Sequence, residues 1–148
     1  MKALMPSIRI VPPEGTHMAV LVDAEEQNDV ETPYGIKDRV RLIFEIDVVN
    51  AQTSKRMLVS RSFTASIHSK SALRAFVENL VGRKLNDDKI REAGGFHPSS
   101  LVGRSCQLVL VHEQNRDGQI YSNIRTVIPL PAGVEPLKVK DYARKAVA

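Results

Sequence analysis

Apolar and polar residues alternate along most of this chain, and in one stretch the alternation gives way to a longer period. Over 69–81, S-K-S-A-L-R-A-F-V-E-N-L-V, the residues Leu73, Phe76, Val77 and Leu80 fall at i, i+3, i+4 and i+7. That spacing places them on one face of a helix. Ser69 or Ser71 can supply the capping oxygen, and Gly82 follows the last periodic residue.

Before this helix the period is two. Gly15 opens a first strand in which Met18, Val20 and Val22 share a face. The run Q-N-D-V-E-T-P-Y-G, with Pro33 and Gly35 as turn residues, reads as a polar loop. A second strand over 39–49 puts Val40, Leu42, Phe44, Ile46 and Val48 on one face. Arg39, Arg41, Glu45 and Asp47 lie on the other, with Ile43 and Val49, as in a half-buried antiparallel strand. A polar turn over 50–55 leads to a third strand over 56–66. There Met57, Val59, Phe63 and Ala65 oppose Ser60, Ser62 and Thr64. Arg61 falls on the apolar side; a bulge or the rim of a barrel would explain it.

After the helix, Asn86 is placed to cap a short helix with Asp87 and Asp88 in its first turn, ended by Gly94 and Gly95. One more turn fits 97–102. A fourth strand over 105–113 and a fifth over 119–129 flank N-R-D-G, a hairpin turn. In the fifth, Ile120, Ile124 and Ile128 point one way and Tyr121, Asn123, Arg125 and Val127 the other, and Pro129 and Pro131 stop it. Three strands, a helix and two strands is the chain order of an OB-fold. The expected class is therefore mainly β, a five-stranded Greek-key barrel with a helix between strands three and four.

The proline-containing stretch 1–14 reads as an extended arm, with Ile8 and Ile10 pairing at a sheet edge. The domain is expected over 15–131. A basic tail over 132–148 follows, with a short helix from about Lys140. Its 148 residues suffice for one domain with a real core. Lys and Arg number 21 against 17 Asp and Glu, an excess that permits an anionic partner without requiring one. The single cysteine, Cys106, excludes an intrachain disulfide and reads as a small buried hydrophobe. No apolar run is long enough for a membrane span and the N-terminus does not read as a signal peptide, so a soluble cytoplasmic protein is expected.

Three stretches carry a resemblance: E-G-T-H-M-A-V-L-V-D-A-E-E from Glu14; F-T-A-S-I-H-S-K-S-A-L-R-A-F-V-E-N-L-V-G-R-K from Phe63; and L-V-G-R-S-C-Q-L-V-L-V-H-E with Y-S-N-I-R-T-V-I-P-L-P, from Leu101 to Pro131. Together they resemble a family of small phage- and prophage-encoded single-stranded DNA-binding proteins of OB-fold type, found among replication and recombination functions. The resemblance implies a non-enzymatic binder of single-stranded DNA without a cofactor. Replication or recombination proteins, or further copies of the chain, would be its other partners. Bacterial single-strand binders typically end in an acidic tip, whereas this chain ends K-V-K-D-Y-A-R-K-A-V-A.

Single-strand binding needs a cationic groove and rings on which bases stack. In OB-folds the usual surface is strands two and three with the loops joining strands one to two and four to five. Here it would carry Arg39 and Arg41, with Tyr34 and Lys37 from the first loop and Arg116 from the second. Arg61 joins from the third strand, and Lys55 and Arg56 from the turn. Tyr121 and Arg125 project alike from the fifth strand. Solvated strand faces carry the same arginines, and surface tyrosines look the same in sequence. The chain has no Trp and is only 5% aromatic, so phosphate contact should outweigh stacking. The scattered His17, His68, His97 and His112 lack metal-site spacing, and no phosphate-loop or nucleophile motif is present. An OB-like protein-interaction module without nucleic acid is the alternative, and a nuclease is a poorer one.

Overall fold

The computed structural model of the chain describes residues 10–142. It is mainly β. Strands β1 (Gly15–Thr32), β2 (Gly35–Val49) and β3 (Arg56–Thr64) precede helices α1 (Ala72–Val81) and α2 (Asp87–Glu92) and a 3-10 turn (Pro98–Leu101). Strands β4 (Ser105–Gln114) and β5 (Ile120–Pro129) close the order. All five form one antiparallel sheet in the order β3-β2-β1-β4-β5. The edge strands β3 and β5 approach each other without a backbone ladder; the Arg61 Nη1 donates across to the Ile124 carbonyl at 3.4 Å.

The helix forms where the period required it. Ser71, not Ser69, caps α1: its Oγ accepts from the Arg74 N–H. Gly82 ends the helix at φ 76°, in the left-handed region that glycine enters without a Cβ clash. Leu73, Phe76, Val77 and Leu80 are all buried against the sheet. Phe76 meets Phe63 at 5.0 Å and Phe44 at 6.1 Å between ring centres, tying helix to β2 and β3. The main core is built from these rings with Leu21, Val40, Leu42, Ile46, Leu108 and Leu110. The short α2 and the 3-10 turn stand where expected, α2 capped by Asn86 Oδ1.

Bulges on β1 and β5 change two of the sequence expectations. On β1, Leu21 pairs with Phe44 but Asp23 with Ile43, so Val22 is the extra residue. Ala19 and Leu21 face the main core, whereas Val20 and Val22 point to the opposite face of the sheet. Of the apolar set that alternation picks out, Val20 and Val22 thus lie on the outer face, and both are buried all the same. The expected loop over 27–35 is instead strand up to Thr32. Asp29, at φ 55° with its N–H on the Asp38 carboxylate at 3.1 Å, absorbs a second register shift and lets the hairpin continue. The polar sequence there reflects a ribbon exposed on both faces, not a break in pairing. On β5, Val109 pairs with Thr126 and Leu110 with Ile124, leaving Arg125 bulged. Ile124 and Val127 therefore both enter the core, and Ile128 is exposed.

The C-terminal segment is part of the body. Residues 137–142 cross the outer face of the sheet without regular secondary structure, with Leu137 and Tyr142 on Val20, Val22 and Ile43. The helix expected from Lys140 is not present up to Tyr142, and its remainder lies outside the described residues. At the other end, Ile10 packs against the main core without joining a strand, while Ile8 lies outside the described residues.

Candidate nucleic-acid interface

The outer face of β1, β2 and β3 divides into an open half and a covered half. In the open half Arg39 stands opposite Gln27 of β1 and Thr64 of β3, and Arg41 opposite Glu25 and Ser62. The Arg41 Nε donates to Ser60 Oγ at 3.0 Å, and Arg39 Nη1 reaches Thr64 Oγ1 at 3.5 Å. The hydroxyl row that alternation placed on β3 therefore orients the arginines of β2. Glu25 is the acid on this strip, 4.0 Å from Arg41 with both side chains partly exposed. A pair that open to water is screened and contributes little, so the strip keeps a cationic balance.

The hairpin joining β1 to β2 projects beyond the core. Its tip carries Tyr34, 89% exposed, on a turn in which Thr32 Oγ1 donates to the Gly35 carbonyl and accepts from the Tyr34 N–H. Lys37 lies on the same ribbon, opposite Val30. Lys55 sits in the β2–β3 turn and Arg116 in the β4–β5 turn, both exposed, the latter turn held by Asn115 Oδ1 accepting from Asp117 and Gln119. Lys55 and Arg116 thus belong to other turns than the one that carries Tyr34.

Arg56 is committed elsewhere. Its Nη1 donates to Glu45 Oε2 at 3.0 Å and to the Lys138 carbonyl at 2.7 Å, and its backbone N–H donates to Asp141. Glu45 is fully buried and also accepts the backbone N–H groups of Lys140, Asp141 and Tyr142 at 2.8–2.9 Å. Burial alone would push the Glu45 carboxyl up; the donors from Asp141, Lys140, Arg56 and Tyr142 outweigh it and hold its pKa below the usual value. This carboxylate is the clasp of the C-terminal strap. It sits in I-F-E-I, and an acid interrupting so apolar a run was the available signal for a buried partnered charge.

Arg61 has no bulge to explain it, since the β2–β3 register runs unbroken past it. It fills the seam between the edge strands instead, with its guanidinium 4.9 Å from the Phe63 ring centre and 5.7 Å from that of Phe76. Beyond the seam, Tyr121 and Asn123 both donate to Glu113, at 2.8 and 3.2 Å. The Asn123 and Tyr121 bonds hold the Glu113 carboxyl below its ordinary pKa, and the Glu113 contact raises that of Tyr121. Arg125 is exposed at the bulge, lining one cavity with Arg61 and Glu113. The ten candidate residues therefore fall into separate groups: Arg39 with Arg41 on the open strip, Tyr34 with Lys37 on the hairpin, Arg61 with Arg125 at the seam. Sequence reasoning passed over Glu113 and Asn123 as site residues; the β4–β5 hairpin register, which sets Glu113 opposite Tyr121, was the available signal.

Several other polar residues do structural work. His112 and His17 hold the Pro12 and Pro13 carbonyls of the arm, each at 2.8 Å. Arg74, nearly buried on α1, joins Asp87, Glu78 and the Ile67 and Leu85 carbonyls, so Asp87 does more than begin a helix. Burial pushes the Cys106 thiol up to about 12, which leaves it unreactive. Among the described residues no His, Cys, Asp and Glu cluster could hold a metal, and no helix is long and apolar enough to cross a membrane. The sequence matches no protein-family model and no curated protein.

Proposed function

We propose that this chain binds single-stranded DNA with little sequence preference, on an OB-type barrel, as part of phage or prophage replication or recombination in the cytoplasm. The observation that carries the reading is the open strip of β2 and β3. There Arg39 and Arg41 are held side by side by the β3 hydroxyls and stay accessible, at the foot of a hairpin tipped by Tyr34. The sheet order, with β3 against β5 and a helix between β3 and β4, supports a partly open OB barrel whose second and third strands form the binding face. Phosphates would lie along the arginines and the free hydroxyl of Ser62, and Tyr34 would stack on a base.

A binder of this kind responds strongly to salt, because each phosphate contact releases counterions. Fluorescence anisotropy with matched single- and double-stranded oligonucleotides tests it. Tighter binding to the single strand, weakening steeply as salt rises, is expected; salt-insensitive binding or preference for the duplex overturns it. Exposed Tyr34 and Ile36 at the hairpin tip also favour a protein-interaction module. Partners that survive nuclease treatment, with no DNA bound by the purified chain, would select that reading.

A further inference from the structure

Where β4 and β5 meet the seam there is a cavity of about 290 Å³, lined by Arg61, Val111, Glu113, Asn123, Ile124 and Arg125. Its charges are arranged and left apart. Tyr121 and Asn123 each occupy one oxygen of Glu113, fixing the plane of the carboxylate and leaving each oxygen a further lone pair. Their bonds also favour its ionised form. Arg61 and Arg125 line the same cavity, yet neither forms an ion pair with Glu113 or with another acid among the described residues. Arg61 is itself anchored, by the Ile124 carbonyl and the Phe63 ring.

A fixed anion beside unpaired guanidinium groups suits a ligand with donors on one edge and acceptors next to them. A phosphate does not qualify, since Glu113 repels it. Among the bases, guanine offers two adjacent donors, N1–H and N2–H, beside the acceptors O6 and N7, and arginine is the usual partner of those acceptors. Cytosine and adenine offer one exocyclic donor group. Thymine offers a single N–H between two carbonyl oxygens that a carboxylate disfavours. Unstacked bases of single strands are read on these edges. We propose that the cavity is a guanine subsite, in which Glu113 accepts from N1–H and N2–H and the arginines donate to O6 and N7. This rests on the single-strand reading and adds to it a base preference at one position of the strand.

The test compares a labelled oligothymidylate with the same strand carrying one central guanine. The guanine strand is expected to bind roughly tenfold tighter, the size of one good base-edge contact. Glu113→Gln is expected to bring the two affinities together, and Arg125→Ala to narrow the gap. Equal affinities in the natural chain, or a preference that survives both substitutions, overturns the subsite and leaves single-strand binding standing. If neither strand binds, the single-strand reading falls and free guanosine decides the subsite. Amide shifts at Glu113 and Asn123 with guanosine and not thymidine sustain it; their absence ends it.

Discussion

The open and the covered halves of the outer sheet face carry similar residues with opposite fates. Arg41 and Arg56 are both arginines near a glutamate, on neighbouring strands. Arg41 lies 4.0 Å from Glu25 in the solvent, with 46% of its side chain exposed, and its charge remains available to a ligand. Arg56 lies 3.0 Å from Glu45 with 15% exposed, spent on holding the chain's own C-terminal strap. The alternating pattern gives both the same outward direction. What separates them is the segment 137–142, which removes water from one half and leaves it on the other. A cation on a strand is a candidate contact only where nothing else of the chain covers it.

The sharpest way to break this comparison is at the clasp. Glu45→Ala removes the acceptor for three backbone N–H groups and leaves the Arg56 guanidinium half-buried without its carboxylate. Breaking a buried pair in this way costs about 3 kcal/mol or more, read as a lowered urea midpoint. In a chain ending at residue 136 the same substitution should cost less than about 0.5 kcal/mol, as for an ordinary surface site. Equal costs in both chains would mean that Glu45 does not act through the strap. The clasp also titrates. With the folded pKa of Glu45 below its unfolded value, its contribution is complete above about pH 4.3 and is lost as pH falls through the lower folded pKa. The stability gap between the natural chain and Glu45→Gln should therefore be constant near neutrality and close in acid. A gap that persists at low pH would show that the ionised form contributes nothing.

The covered half was the least legible part of the molecule, for a physical reason. Leu73, Phe76, Val77 and Leu80 announce a helix because their period is local, and the alternation over 39–49 announces a strand for the same reason. The inner face of β2 is buried as expected, yet on its outer face the acid Glu45 reads like Asp47, since only a segment about a hundred residues later distinguishes them. The bulges at Val22 and Arg125 are equally silent. Each adds one residue to a ladder, and the sequence around it still alternates acceptably. The strip of Arg39 and Arg41 was visible because it depends on strand parity alone. The seam group of Arg61, Glu113 and Asn123 was harder to see: Glu113 meets Asn123 through the β4–β5 register, and Arg61 joins them only because β3 meets β5.

On the open half, Arg39→Ala with Arg41→Ala should weaken single-strand binding by more than tenfold at physiological salt. The slope of log K against log salt should fall by about 1.4, two phosphate contacts at roughly 0.7 each. Urea stability should move by less than about 0.5 kcal/mol, since neither guanidinium is buried. Unchanged binding with lowered stability would reverse the roles assigned to the two halves.

The smallest expected effect is at the hairpin. Tyr34 touches nothing that its removal would collapse, being 89% exposed on a turn fixed by Thr32 rather than by its own ring. Tyr34→Ala should therefore leave folding intact and cost binding only its stacking, about 1 kcal/mol or fivefold, near the low end for a base on an aromatic ring. Because stacking releases no counterion, the salt slope should stay where it was, in contrast to the arginine pair. A loss larger than that of the double arginine variant, with the slope unchanged, would move the main contact from the strip to the hairpin tip.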